Sequence, residues 1–184
     1  MNVFLFLKGK IDMESETYER FPPGIILLSN AQTLLIYVIG ASILAGFGFW
    51  FALLYVAYCL WFELRILTRS CVNCYYYGSY CGMGRGKVCS WFFKRGNPER
   101  FLNHTISWWD LVPDFMVSII PLVGGIILLI GDFSWMIVFF LFFLLVLSTV
   151  GSAMIRGNFL CKFCKQRVLG CPAQQLFNRS QEKV

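Results

Sequence analysis

The chain has 184 residues, 58% of them hydrophobic and 14% charged, with a formal charge of +6. A soluble domain has about 25% charged residues. This composition, with a mean hydropathy of +0.64, therefore argues against a water-soluble fold and for a polytopic membrane protein. The basic residues sit beside apolar stretches, so membrane topology accounts for them better than nucleic-acid binding does.

Residues 1–22 read as a cytoplasmic or interfacial lead-in. The opening apolar run is short and no basic stretch precedes it, unlike a signal peptide. Lys8 and Lys10, then Asp12, Glu14, Glu16 and Glu19, then Arg20 follow as a charged stretch. Pro22-Pro23-Gly24 ends this segment, and proline suits a helix start because its missing N–H would be unpaired there. Residues 24–67 are almost continuously apolar, about twice the roughly 20 residues that cross a bilayer. Two spans are expected, at 24–42 and 46–67, with Gly40, Gly46 and Gly48 marking the turn. Ser29, Asn30 and Gln32 weaken the first of them.

The second span ends in Trp61, Phe62, Glu63, Arg65 and Arg69, an aromatic belt followed by cations. Cys71, Cys74 and Cys81 follow with the spacing C-x2-C-x6-C, and then Cys89. Residues 82–87 form a basic glycine turn. It is not a Walker loop, since Gly82 to Gly86 encloses three residues and Val88 stands where a hydroxyl is needed; anionic lipid headgroups are its expected ligand. Residues 91–110 read as an interfacial connector. Asn97-Pro98-Glu99 has the form of a helix start, with Asn as N-cap, and that short helix is expected to reach His104. Two further spans are expected at 111–130 and 134–156, separated by Gly131-Asp132-Phe133-Ser134, with Pro113 and Pro121 in the first and Gly124-Gly125 available for close packing. Cys161, Cys164 and Cys171 repeat the C-x2-C-x6-C spacing, and 176–184 is a polar tail.

The halves align without a gap at a shift of ninety residues. The cysteines superpose, as do Pro23 on Pro113, Ile36 on Ile126, Phe49 on Phe139, Leu54 on Leu144 and Val56 on Val146. The expected fold is all-α: four transmembrane helices as two tandem hairpins, 23–90 and 111–175, each ending in a cysteine knuckle. Two crossings per half make this a parallel repeat about an axis along the membrane normal, which brings the two cysteine sets together. Lys and Arg crowd 65–110 and the C-terminal tail and are missing from both opposite turns, so positive-inside places both termini and both cysteine sets in the cytoplasm. A prokaryotic plasma membrane is the expected location.

Cytoplasmic thiols are kept reduced, and C-x2-C pairs there aim two sulfurs at one point, as metal sites require. The candidate ligands are Cys71, Cys74, Cys81, Cys89, Cys161, Cys164 and Cys171, with His104 as a weaker one. The first set can close a four-cysteine site with Cys89. The second has no fourth cysteine of its own and must borrow Cys89, His104 or water. Zinc is the favoured ion and an iron–sulfur cluster the alternative. Cys59, inside the second span, reads as a small buried hydrophobe. The spans carry no central charge of the kind ion-coupled transporters use. A non-catalytic anchor or accessory subunit is therefore favoured, embedded in lipid and docking a protein partner or a second copy at its cytoplasmic face. The alternatives are an iron–sulfur electron-transfer protein and a four-span thiol–disulfide oxidoreductase acting with a quinone.

Overall fold

The computed structural model describes residues 17–99 and 107–172, and every named element among them is helical. Helix α1 is Pro23–Ala45, α2 Phe49–Arg69, α3 Arg85–Phe92, α4 Trp108–Gly131 and α6 Lys165–Gly170. Helix α5 runs Trp135–Cys161 with two widened π-type turns, Leu147–Gly151 and Ile155–Cys161. Four of these, α1, α2, α4 and α5, are long and apolar enough to cross a membrane. The first part of the lead-in, the connector helix beyond Glu99 with His104, and the polar tail lie outside the described residues.

Three spans, α1, α4 and α5, are longer than the sequence suggests, and α2 is displaced toward the C-terminus. Gly40 does not turn the chain. It lies buried inside α1, and the reversal falls on Gly46 to Gly48. Gly48 has φ +131, a conformation that favours glycine. Gly40 is instead a packing residue: a Cβ there would lie 2.5 Å from the Tyr55 hydroxyl of α2. Glycine inside a membrane helix lets a neighbour approach closely, and a pattern of glycines does not distinguish that use from a turn.

Helices α1 and α4 pack against each other, and each also touches both α2 and α5. The core between them holds Ile36, Ile39, Ile43 and Leu44 of α1, Tyr55, Cys59 and Phe62 of α2, Val117 of α4 and Leu144 of α5. Gly124 and Gly125 allow this approach: a Cβ would lie 2.8 Å from Leu44 Cδ2 at the first and 2.6 Å from Leu141 Cδ2 at the second. The outer faces are apolar as well, with Phe49, Trp50, Leu54, Ile130, Trp135 and Phe142 exposed. Trp50 and Trp135 mark one end of the bundle, and Trp91 and Trp109 the other. Aromatic girdles at both ends fit helices that meet two membrane interfaces.

Backbone carbonyls inside the bundle accept from side chains of neighbouring helices. Pro121 has no N–H for the Val117 carbonyl one turn back, and the Tyr55 hydroxyl donates to that carbonyl at 2.7 Å. Tyr58 donates to the Pro113 carbonyl at 2.9 Å. The π turn of α5 presents the Leu147 carbonyl, which accepts from Gln32 Nε2 at 2.8 Å, while the same nitrogen reaches Ser152 Oγ at 3.1 Å. The polar residues of α1 therefore strengthen the span. Ser29 and Gln32 are buried, and Asn30 Nδ2 donates to the Met83 carbonyl at 3.2 Å. No buried side-chain nitrogen or oxygen among the described residues lacks a partner, as a low-dielectric interior demands.

Candidate metal centre

An even number of crossings separates the two cysteine sets, and they meet at one end of the bundle. The first set leaves α2 through a single 3-10 turn, Cys71–Asn73. The second leaves the π-widened end of α5. The backbone then does the same thing twice. The Cys74 N–H donates to the Cys71 carbonyl at 3.3 Å, and the Cys164 N–H to the Cys161 carbonyl at 3.4 Å. Tyr77 N–H donates to the Cys74 carbonyl at 3.1 Å, and Arg167 N–H to the Cys164 carbonyl at 3.0 Å. Nearby backbone amides, led by that of Tyr76 at Cys74 and that of Arg167 at Cys164, lower those two thiols. An N–H aimed at sulfur favours its thiolate form, the form that binds metal.

Beyond the C-x2-C turns the sets diverge. Residues after Cys164 form the short helix α6, whereas those after Cys74 make a looser turn closed by Gly78 N–H to the Gly86 carbonyl at 3.0 Å. Cys81 accepts the Gly86 N–H at 3.4 Å. Cys89, on α3, is fully buried and points its thiol at the Leu67 carbonyl, 3.6 Å away.

Three links join the sets. Gln166 Oε1 of the second set accepts the Tyr75 N–H of the first at 2.8 Å and lies 3.8 Å from Cys74 Sγ. The Tyr76 hydroxyl accepts the Lys165 N–H at 3.0 Å and donates to the Tyr18 carbonyl. The segment around Tyr18 straps both: Tyr18 N–H donates to the Phe163 carbonyl at 2.9 Å and Phe21 N–H to the Tyr80 carbonyl at 3.0 Å. The sequence hid this strap, because Glu19 and Arg20 give it the look of a solvated tail. Tyr18 and Phe21, aromatic on either side of those charges, were the available signal, and Phe21 is buried.

All eight cysteines are free thiols. Cys71 feels Cys81, Cys89 and Cys74; Cys161 feels Cys171; Cys164 feels Cys74 and Cys171; Cys74 feels Cys81 and Cys171. Arg85 acts on Cys71, and Arg156 and Arg167 act on Cys161. Burial pushes the Cys74 and Cys164 thiols up to about 11 against the pull of their amides, and it also raises Cys89. Among the described residues no three Cys, His, Asp or Glu side chains converge on a metal-sized point with the thiols as they stand. Metal binding there therefore requires the cysteine side chains to turn and lose their protons.

Cys59 is buried in the core of α2, away from both sets. His104 lies outside the described residues. The basic turn 82–87 offers headgroups less charge than the sequence suggests, because Arg85 turns inward to Glu63, whose carboxylate also accepts from the Tyr37 hydroxyl at 2.7 Å. No protein-family model matches the chain, and no curated protein and no solved structure matches it either.

Proposed function

We propose that this chain is a small polytopic membrane protein that binds zinc through its paired cysteine sets on the cytoplasmic face, and that this stapled face anchors a partner at the membrane. One observation carries the reading: two C-x2-C turns with the same backbone hydrogen bonds stand side by side at one end of the bundle, bridged by Gln166 and Tyr76. The cytoplasmic assignment is supported by charge. Arg65, Arg69, Arg85, Arg156, Lys162, Lys165 and Arg167 flank the cysteine end, whereas the opposite turns carry only Asp132. A tandem duplication is supported by the ninety-residue register of those bonds. It is supported too by the helix contacts, which map onto themselves when α1 and α2 are exchanged with α4 and α5. The loops have little core of their own, so zinc would supply part of their folding energy.

The test is anaerobic purification of the full chain with metal analysis and a visible spectrum. The reading expects a colourless protein with bound zinc, which is lost together with partner co-purification when Cys161 and Cys164 are changed to serine. Brown protein containing iron and sulfide would replace it with an electron-transfer role. A metal-free protein with Cys71–Cys74 and Cys161–Cys164 disulfides would replace it with thiol–disulfide exchange.

A further inference from the structure

We propose that the outward face of α2, at the cysteine end of the bundle, binds an anionic phospholipid. Its phosphate lies against Arg69 and Arg65, and its glycerol and first acyl carbons lie along Leu64 and Trp61. The site stands apart from the cysteines and does not depend on the metal reading.

Helical spacing makes the site. Trp61, Arg65 and Arg69 follow at every fourth residue of α2, with Leu64 and Thr68 beside them, so they share one face. Together they line an open groove of about 340 Å³. That is near the lower end for small-ligand clefts and suits a headgroup rather than a whole lipid. From Trp61 to Arg69 the face runs about 12 Å along the helix axis. Over that distance it passes from an indole ring and a leucine to guanidinium groups. Leu53, Leu54 and Leu60 continue the exposed apolar surface toward the bilayer centre. A phospholipid in the same leaflet has the same polarity in the same direction.

The arginines of the groove are available to a ligand. Arg85 and Arg156, at the same end of the bundle, are committed to carboxylates: Arg85 bonds Glu63, and Arg156 Nη1 bonds Asp114 Oδ2 at 3.0 Å. The guanidinium groups of Arg65 and Arg69 donate no hydrogen bond among the described residues. Arg65 stands 3.6 Å from Asp110 Oδ1, an ion pair too long to be a hydrogen bond. Its guanidinium also lies 5.7 Å from the centroid of the Trp61 ring, within cation–π range. Ring and carboxylate hold Arg65 in place and leave its N–H fork unused. Arg69 is exposed and has no ion-pair partner among the described residues. Thr68 turns its hydroxyl back to the Leu64 carbonyl at 2.9 Å, so the arginines are the donors that face the groove. The planar guanidinium fork matches phosphate oxygens. A second cation there favours a lipid of net negative charge over a zwitterionic one, whose ammonium group it would repel. The headgroup site therefore falls on α2 rather than on the 82–87 turn, where Arg85 is held by Glu63.

The experiment is native mass spectrometry of the full chain in neutral detergent, titrated in parallel with phosphatidylglycerol and phosphatidylcholine of the same acyl chains. The first phosphatidylglycerol should bind more tightly than phosphatidylcholine. Arg69→Gln should weaken it about fivefold, the worth of one cation near anionic headgroups, whereas Lys87→Gln in the 82–87 turn should leave it unchanged. Asp110→Asn removes the negative charge beside Arg65 yet keeps an acceptor for the Ser107 N–H. It should tighten phosphatidylglycerol binding about twofold, a gain that misfolding does not mimic. Excess inorganic phosphate should not displace the lipid, because it has nothing to lay against Leu64 and Trp61. Equal retention of the two lipids, a loss in Lys87→Gln as large as in Arg69→Gln, or weaker binding in Asp110→Asn would overturn the site. Displacement by phosphate would assign the groove to a free anion and overturn the lipid.

Discussion

The Tyr55 hydroxyl reaches from α2 past Gly40 of α1 to donate to the Val117 carbonyl of α4, 2.7 Å away. Three helices meet at that bond. It exists because Pro121 leaves the carbonyl free, and it fits because position 40 has no Cβ. In a medium without water an unpaired carbonyl is costly, so the tyrosine and the proline form one unit.

Tyr55→Phe is therefore expected to destabilise the bundle by about 1 kcal/mol, the scale of interhelical hydrogen bonds in membranes. In a Pro121→Ala background the restored N–H can pair with Val117, and the penalty of Tyr55→Phe should shrink. Reversible unfolding in detergent of the four proteins of this double-mutant cycle measures the coupling. Equal penalties in both backgrounds would show that the proline does not set the need for the tyrosine.

The four spans were legible because long apolar runs have few other uses, and the meeting of the cysteine sets was legible because even numbers of crossings return the chain to one side. What escaped the sequence depends on facing. Pro121 is visible in the sequence, but nothing there says that Tyr55 lies opposite the carbonyl it frees. Gln32 looked like a flaw in α1, yet its amide donates to the Leu147 carbonyl in the π turn of α5, whose position no hydrophobic pattern marks. The contact of Cys74 with Gln166 was hidden for the same reason: equal spacing shows that two turns are alike, not which side chains join them.

Gly86 makes a test of the first cysteine loop. A Cβ there would overlap the Tyr76 carbonyl and lie 2.7 Å from the Ser79 carbonyl. Backbone cannot yield as a side chain can, so Gly86→Ala should displace the loop at a cost of about 1–3 kcal/mol and remove the amide that faces Cys81. The expected result is reduced zinc content and faster alkylation of Cys81, with helix content unchanged by circular dichroism. Unchanged zinc and alkylation would mean that the loop adjusts freely.

The metal-free thiols should show a shifted pH response. An ordinary thiol ionises near about 8.5, and only the thiolate is alkylated. Burial raises Cys74 and Cys164 to about 11, so their alkylation rates should keep rising about tenfold per pH unit through pH 9 and 10, where an exposed cysteine has levelled. The sign for stability follows. The contribution is fully present below about pH 8.5 and is lost as pH rises toward 11, because the unfolded thiols release protons that the folded ones still hold. Peptide mapping after timed alkylation reads both sites; levelling near 8.5 at either would contradict this picture of its surroundings.

The orientation of the bundle rests on charge, and it has a direct test. Cys81 and Cys171 belong to different halves but to the same end of the molecule, where the arginines and lysines gather. The opposite turns offer only Asp132 among ionisable groups. Lys and Arg resist translocation, so the basic end should remain inside. Variants that keep only Cys81 or only Cys171, stripped of metal, should be labelled by a membrane-impermeant maleimide in inverted vesicles and spared in intact cells. A cysteine placed at Asp132 should behave in the opposite way, which shows that the reagent reaches the outer face. Both native positions must give the same answer whatever the orientation, because an even number of spans separates them. Labelling of one from outside and the other from inside would break the four-span fold. Labelling of both from outside would keep the fold, reverse the membrane orientation, and place the cysteines where disulfides persist.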